Sequence, residues 1–147
     1  MKIRILGCGT SSGVPRLGND WGRCDPNEPR NRRLRSSILL DSGECTLLVD
    51  CGPDLREQMN SAGRGKVDQV IITHDHADHS HGIDELRQVS HAIGGPVPLF
   101  ARADVLARLS DRFAYAFKGT PTYDPVLEGK TIEDSMTVGA CRLRFVD

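Results

Sequence analysis

The sequence has little of several features that would place it in a specialised class. No stretch approaches the ~20 apolar residues of a membrane-spanning helix, and the apolar run at the N-terminus is too short for a secretory signal. Aromatic residues make up 5% of the chain, and the formal net charge is -1. The chain as a whole therefore has no electrostatic attraction to nucleic acid, and we expect no membrane partner.

The cysteine pattern lacks the pairs that mark metal knuckles or disulfide frameworks. There are five cysteines, an odd number, and none forms a CxxC pair. A reducing cytoplasm fits this usage best. We interpret four of them, which lie in or near apolar runs, as small core residues: Cys8, Cys45, Cys51 and Cys141.

The length of 147 residues suits one domain with one core. Alternating or continuous apolar runs predict strands over residues 2–6, 36–41, 46–51, 67–73, 97–101 and 136–146. Helical periodicity and helix-ending glycines predict helices over residues 54–62, 84–93 and 104–117. A polar, arginine-rich stretch, residues 16–35, predicts a long surface loop. Because the first strands pair in a hairpin and later strands alternate with helices, we predict an α/β fold with a mixed sheet and helices packed on it.

The residues that carry chemistry lie in one segment, THDHADHSHG, where four of the five histidines fall within eight positions. Extended backbone would place His74 and His76 on one side, because residues two apart in a strand share a face. A turn at Ala77 would bring Asp78 and His79 beside them. A solvated histidine-rich loop is the alternative, but the acid among the histidines and the apolar strand before them favour a metal site.

This spacing, His74-x-His76-x-Asp78-His79, matches the HxHxDH motif of the metallo-β-lactamase superfamily. An earlier segment, LVDCG, resembles the first motif of that superfamily, in which a strand ends in Asp-x-Gly. The resemblance implies that Asp50 supports the metal loop. It also implies the N-terminal half of an αββα sandwich, with the helices on the outer face of a mixed sheet.

The N-terminal segment LGCGTSSGVP resembles the opening of two subgroups, the phosphoribosyl cyclic phosphodiesterases and the transfer-RNA 3′-processing nucleases. Residues 31–37 and 79–87 are most similar to the phosphodiesterase subgroup. The resemblance implies a metal-dependent hydrolase that cleaves a small cyclic or nucleotide-like phosphodiester through a metal-bridged hydroxide. We expect Arg33, Asn31 and His81 to contact this substrate.

The implied cofactor is a pair of divalent ions, zinc or manganese. The four motif residues would be ligands, and Asp78 would also act in catalysis by orienting the hydroxide. The resemblance places the remaining ligands after the strand at residues 141–146. We therefore expect residues 1–147 to be a single metallo-β-lactamase-like domain that is C-terminally incomplete. Cys24 stands alone in the surface loop, so no structural zinc is predicted there.

Three other functions stay open, and the least favoured is thioester or β-lactam hydrolysis within the same fold. A transfer-RNA 3′-processing endonuclease would need a strongly basic surface or an RNA-gripping arm, so nucleic acid is not the favoured partner. A non-catalytic half-domain with an incomplete metal site is the second alternative. A homodimer that completes the site is compatible with the sequence.

Overall fold

The computed structural model describes residues 1–139 and 141–145. A six-stranded sheet holds its strands in chain order: β1 Lys2–Gly7, β2 Ser37–Asp41, β3 Thr46–Val49, β4 Gln69–Ile71, β5 Val97–Ala101 and β6 Leu127–Thr131. The pairs β1–β2 and β2–β3 are antiparallel, whereas β3 to β6 run parallel. A separate antiparallel hairpin consists of β7 Ser135–Val138 and β8 Cys141–Arg144. This mixed sheet confirms the predicted fold class.

Helices cover one face of the sheet, as the apolar pattern predicts. They are α1 Leu55–Ser61, α2 Ala77–Ser80, α3 Leu86–Ile93, α4 Ala103–Arg112 and α5 Ala114–Lys118. On this face the main core joins strand residues such as Leu48 and Leu99 to helix residues such as Leu86 and Leu109, all fully buried. Because successive residues of a strand point to opposite faces of the sheet, the residues next to Leu48 and Leu99 point to the face without these helices.

The other face of the sheet carries a smaller core under the β7–β8 hairpin. Leu47 and Ile71 contribute from the sheet, and Val138 contributes from the hairpin. At the β1 edge, the cross-strand partners Ile5 and Ile38 are on this same side and exposed. The hairpin therefore covers only part of this face.

Two predicted elements differ in detail, and one observed strand was not predicted. The helix expected over 104–117 is two helices, α4 and α5, because the backbone leaves helical geometry at Phe113 (φ −113°, ψ 39°). The strand expected over 136–146 is a hairpin, because Gly139 adopts a left-handed φ of 55° and turns the chain; residues 140 and 146 lie outside the described residues. Strand β6 was not predicted, since its sequence LEGKT lacks apolar alternation.

The cysteine predictions have a mixed outcome. Cys51 is fully buried and Cys45 is half-buried, but Cys8 is exposed, so the core prediction for Cys8 is wrong. Its physical reason is position: Cys8 follows the edge strand β1 in a glycine-rich loop rather than in a central strand. The side chain of Cys141 lies outside what the structure describes. In the described ranges no helix is both long and apolar enough to cross a membrane.

Candidate metal centre

The candidate centre lies where two neighbouring parallel strands end. Strands β3 and β4 are hydrogen-bonded neighbours, so the residues that follow them, Asp50 and Thr73, leave the sheet at the same edge. Asp50 still donates its backbone N–H to Ile71 O at 2.8 Å, and Ser37 Oγ donates to Asp50 O at 2.8 Å. Its φ of 62° lies in the left-handed region, which aspartate tolerates better than most residues.

The Asp50 carboxylate holds both ends of the histidine segment. It accepts hydrogen bonds from the backbone N–H of Thr73 at 2.8 Å and from the Thr73 hydroxyl at 2.9 and 3.0 Å. Its other partner is Nδ1 of His79, at 2.7 Å. The side chain is 8% exposed. Because a buried carboxylate needs such partners, Asp50 fixes the loop that resembles the metal-binding motif.

Two glycines let the same loop pack backbone to backbone. Cys51 N donates to His79 O at 2.8 Å, and Gly82 N donates to Cys51 O at 2.7 Å. A Cβ added at Gly52 would overlap the carbonyl oxygen of Asp78, and a Cβ added at Gly82 would overlap that of Gly52. Side chains at these two positions would therefore push the segment containing Asp78 away from the sheet.

The histidine rings of the loop face one another. The backbone is extended at His76 (φ −65°, ψ 151°) and turns into α2 at Ala77. The ring centroids of His74 lie 4.7 Å from His76 and 4.0 Å from His79. The loop thus gathers three imidazoles and the carboxylate of Asp78 from six consecutive residues.

Two of these groups are about as far apart as two ligands of one metal ion would be. His79 Nε2 lies 3.3 Å from Asp78 Oδ2. Two donors about 2.1 Å from one tetrahedral ion would be roughly 3.4 Å apart. Since Nδ1 of His79 is occupied by Asp50, Nε2 is the nitrogen left for an ion, and a carboxylate behind a ligand histidine is typical of metal sites.

The fit to a metal is therefore partial. Nδ1 of His74 is 3.0 Å from the Thr73 hydroxyl, so Nε2 is again the free nitrogen, and imidazole and carboxylate are ligands that divalent zinc and manganese accept. Across residues 1–139 and 141–145, however, no three His, Cys, Asp or Glu side chains are arranged so that they could hold one ion together. The donor atoms are of the types that such ions bind, and the Asp78–His79 pair also has the separation expected for two ligands of one ion.

An acid between two of these histidines is bound to a helix. Asp75 Oδ1 lies 3.2 Å from Arg108 Nε, and Asp75 Oδ2 lies 3.0 Å from Arg112 Nη2. Burial acts to raise the pKa of Asp75, but the hydrogen bonds and charges of these arginines outweigh it and lower the pKa. Sequence reasoning missed this contact, because 37 residues separate Asp75 from Arg112.

Three residues were expected to contact substrate. Among the described residues, their side chains make no hydrogen bond, ion pair or ring contact with His74, His76, Asp78 or His79. Asn31 donates its side-chain amide to Asp25 O at 3.0 Å, within the surface loop. His81 is exposed, with its ring edge-on to Phe113 at a centroid distance of 5.5 Å. Arg33 pairs through its backbone with Val14, and its exposed guanidinium makes no hydrogen bond or ion pair to the described residues.

The glycine-rich segment after β1 packs on the surface loop. Gly9 N donates to Leu34 O at 2.7 Å, and a Cβ at Gly7 would overlap Arg35 O. Arg35 in turn binds the carboxylate of Asp54 at 2.8 Å, just after the LVDCG segment. Sequence reasoning did not identify this pair, which ties the arginine-rich loop to the edge of the sheet where Asp50 lies.

Comparison with known proteins identifies the family of this fold and loop. Residues 46–147 match the β-lactamase superfamily domain, which is more than half of the chain. The chain therefore belongs to the metallo-β-lactamase superfamily.

Two curated relatives illustrate the range of the superfamily. The chain is 37% identical over 124 residues to an octanoyltransferase of Porphyromonas gingivalis, a match that covers 82% of this chain and 24% of that protein. It is 28% identical to ribonuclease Z of Anoxybacillus flavithermus, covering 96% of this chain and 44% of that protein.

Two solved structures share the fold. A diphosphatase from the PhnP family superimposes with a TM-score of 0.83 at 32% identity, over 97% of this chain and 55% of that one. Zn²⁺-bound PqqB from Methylobacterium extorquens superimposes with a TM-score of 0.69 at 24% identity, over 92% of this chain and 48% of that one. The chain spans about half the length of these structures and of the ribonuclease Z relative.

Proposed function

We propose that this chain carries the motif half of a metal-dependent phosphodiesterase that cleaves a small cyclic or nucleotide-like phosphodiester. The observation that carries the proposal is the loop at residues 74–79. It gathers three imidazoles and one carboxylate, it is fixed by the buried Asp50, and it holds His79 Nε2 and Asp78 Oδ2 at ligand spacing, 3.3 Å.

The proposed ligands are His74, His76, Asp78 and His79, and the proposed ions are two zinc or manganese ions. When bound, such ions supply Lewis acidity, lower the pKa of a coordinated water and neutralise phosphoryl oxygens. This chain's own part is to present its donors already oriented, through the hydrogen bond of Asp50 to His79 and the contact of Thr73 with His74. Asp78 would also accept the proton of the attacking water. Further ligands after residues 141–146 stay a prediction from the sequence resemblance.

The phosphodiester substrate is supported by two observations. The PhnP-family structure, at 32% identity over nearly the whole chain, is that of a diphosphatase, which also acts on phosphorus. In this chain the Arg33 guanidinium is exposed and unpaired among the described residues, so it is free to bind a phosphate. Asn31 and His81 are weaker candidates, because their side chains contact Asp25 and Phe113 instead.

The test is hydrolysis of adenosine 2′,3′-cyclic phosphate and of bis(4-nitrophenyl) phosphate, with added Mn²⁺ or Zn²⁺, by the purified protein with any residues that follow position 147 included. We expect metal-dependent cleavage that the His76→Ala substitution abolishes. The matched control is His91→Ala on α3, since His91 is exposed and lies outside the loop. Cleavage of neither diester, or equal cleavage by both variants, would overturn the proposal.

A transfer-RNA 3′-processing endonuclease is the second candidate. The ribonuclease Z relative aligns with 96% of this chain, and the exposed Arg23, Arg32 and Arg33 lie in one loop. Salt separates the two candidates: RNA binding through 6–10 phosphates weakens roughly 10³- to 10⁵-fold between 50 and 200 mM salt. We expect cleavage of the small diester to change little over this range. Cleavage of precursor transfer RNA with a steep salt dependence would favour the nuclease.

A non-catalytic half-domain is the third candidate. It is favoured by the finding that no three donors in the described ranges are arranged to hold one ion. Metal binding without cleavage of diester or RNA, under all of these conditions, would support it.

A further inference from the structure

Helix α4 is joined to the histidine loop by two arginines that converge on one acid. Arg112 donates through Nη2 to Asp75 Oδ2 at 3.0 Å and through Nη1 to Asp75 O at 2.6 Å. Arg108 Nε lies 3.2 Å from Asp75 Oδ1, and Arg108 also binds Asp104 on its own helix at 3.0 Å. The acid is therefore held through its carboxylate and through its backbone.

The position of Asp75 in the loop connects its contact with α4 to the two histidines on either side. It stands between His74 and His76, and in extended backbone alternate residues point to opposite sides. The His74 ring lies beside the rings of both His76 and His79, whereas the side chain of Asp75 contacts α4. A contact that fixes the Asp75 peptide therefore also sets the direction of the rings on either side of it.

A second hydrogen bond holds the same stretch of backbone from within the loop. Ser80, which is fully buried, donates through Oγ to His76 O at 2.8 Å and lies 3.3 Å from Asp75 O. Arg112 and Ser80 thus engage the Asp75 carbonyl together. Helix α4 itself is anchored in the main core by Val105 and Leu109, so the arginines extend from a fixed support.

We propose that Arg112, acting through Asp75, is a positioning residue for the His74 and His76 imidazoles, with Arg108 as the second support. This inference rests on the proposed metal site. The Asp75 side chain is 16% exposed, and it is bound by two guanidinium groups, so this contact differs from the isolated surface ion pairs that contribute little. Arginine is needed because a single planar group reaches both the carboxylate and the carbonyl.

The test uses the 147-residue chain and two readouts. The first is affinity for Zn²⁺, measured by competition with a chromophoric chelator. The second is hydrogen exchange of the metal-free protein at the Thr73 and His79 amides, which donate to Asp50 Oδ1 and to His76 O. The variants are Arg112→Gln, Asp75→Asn and their combination. The control is Arg56→Gln, an exposed arginine on α1 that makes no ion pair with any residue the structure describes.

We expect Arg112→Gln to weaken Zn²⁺ binding by about 10-fold, the low end of the range for groups behind metal ligands. It should also speed exchange of the loop amides several-fold without changing exchange in α1. Because both substitutions remove the same side-chain contact, the loss in the double variant should be smaller than the sum of the two single losses. Arg112→Lys, which keeps the charge but loses the two-point contact, should restore less than half of the lost affinity.

Unchanged loop exchange together with unchanged Zn²⁺ affinity in Arg112→Gln would overturn the positioning role. A wild-type chain that binds no Zn²⁺ would instead contradict the proposed metal site. The exchange readout would then decide by itself whether Arg112 orders the loop. Equal losses in loop and α1 exchange would show a role in overall stability only, and would also overturn the inference.

Discussion

The Asp50 carboxylate lies 2.7 Å from Nδ1 of His79, across 29 residues of sequence. The same carboxylate accepts the backbone N–H of Thr73, at the other end of the histidine loop. One buried acid thus connects strand β3 to both ends of the loop that follows β4. This connection leaves Nε2 of His79 without a bond to Asp50, at 3.3 Å from Asp78 Oδ2.

Substitution of Asp50 by asparagine tests this connection. Asparagine tolerates the left-handed backbone at this position but replaces one acceptor oxygen with a donor, which opposes the N–H or hydroxyl groups of its partners. We expect the free energy of unfolding to fall by roughly 1–3 kcal/mol for each buried group left without a partner. Urea unfolding measures this loss. The control Asp111→Asn, at an exposed position on α4, should be neutral, and equal effects of the two substitutions would contradict the account.

Alanine at Gly52 or Gly82 tests the backbone packing of the loop. Each new Cβ would overlap a carbonyl oxygen of the facing segment. Both oxygens belong to the main chain, so neither can move aside as the end of a flexible side chain could. We expect each substitution to lower the free energy of unfolding by about 1–3 kcal/mol, the range for overpacked sites. Gly65→Ala is the matched control, because nothing lies within 4 Å of its added Cβ. Thermal unfolding measures the effect, and equal melting temperatures for all three variants would refute this packing.

Acid should destabilise the fold through carboxylates paired with arginines. Hydrogen bonds lower the pKa of Asp41, chiefly from Gly43 N–H and also from Arg64, and that of Asp104, chiefly from Arg108. A group with a lowered folded pKa stabilises the fold above its unfolded pKa, here about 3.8, and loses that contribution as the pH falls through the folded value. We therefore expect the melting temperature to fall below about pH 4.

The variant Asp41→Asn checks the origin of this acid sensitivity. Its melting temperature should fall less steeply between pH 4 and about 2 than that of the wild type, since one of the linked carboxylates is gone. Thermal unfolding across this pH range, monitored by circular dichroism, makes the comparison. Identical slopes would show that Asp41 has the same pKa in the folded and unfolded chain.

The sequence predicted the centre of the fold because that information is local. Residues two apart in extended backbone share a side, so the spacing of His74 and His76 already implied neighbouring rings. Runs of five to seven residues, rich in apolar side chains, marked β3, β4 and β5. The resemblance of LVDCG to the first superfamily motif also assigned a supporting role to Asp50, and in the structure Asp50 contacts the loop.

Contacts between distant segments were not predictable in this way. The pairs Arg112–Asp75 and Arg35–Asp54 join charged residues from distant segments. The sequence around each residue does not indicate which residue it contacts. Strand β6 escaped prediction because an edge strand needs no alternation, and its register with β5 comes from main-chain pairing. The substrate roles of Asn31, Arg33 and His81 stay predictions.

The metal site is tested by the metal content per chain, measured by elemental analysis after exhaustive dialysis against metal-free buffer. We expect the wild-type chain, loaded with zinc or manganese, to retain bound metal. We also expect the His76→Ala and His79→Ala variants to lose this metal, whereas His91→Ala should keep it. A wild-type chain that retains no metal, or loop variants that retain as much as the wild type, would contradict the claim that His74, His76, Asp78 and His79 form a metal centre.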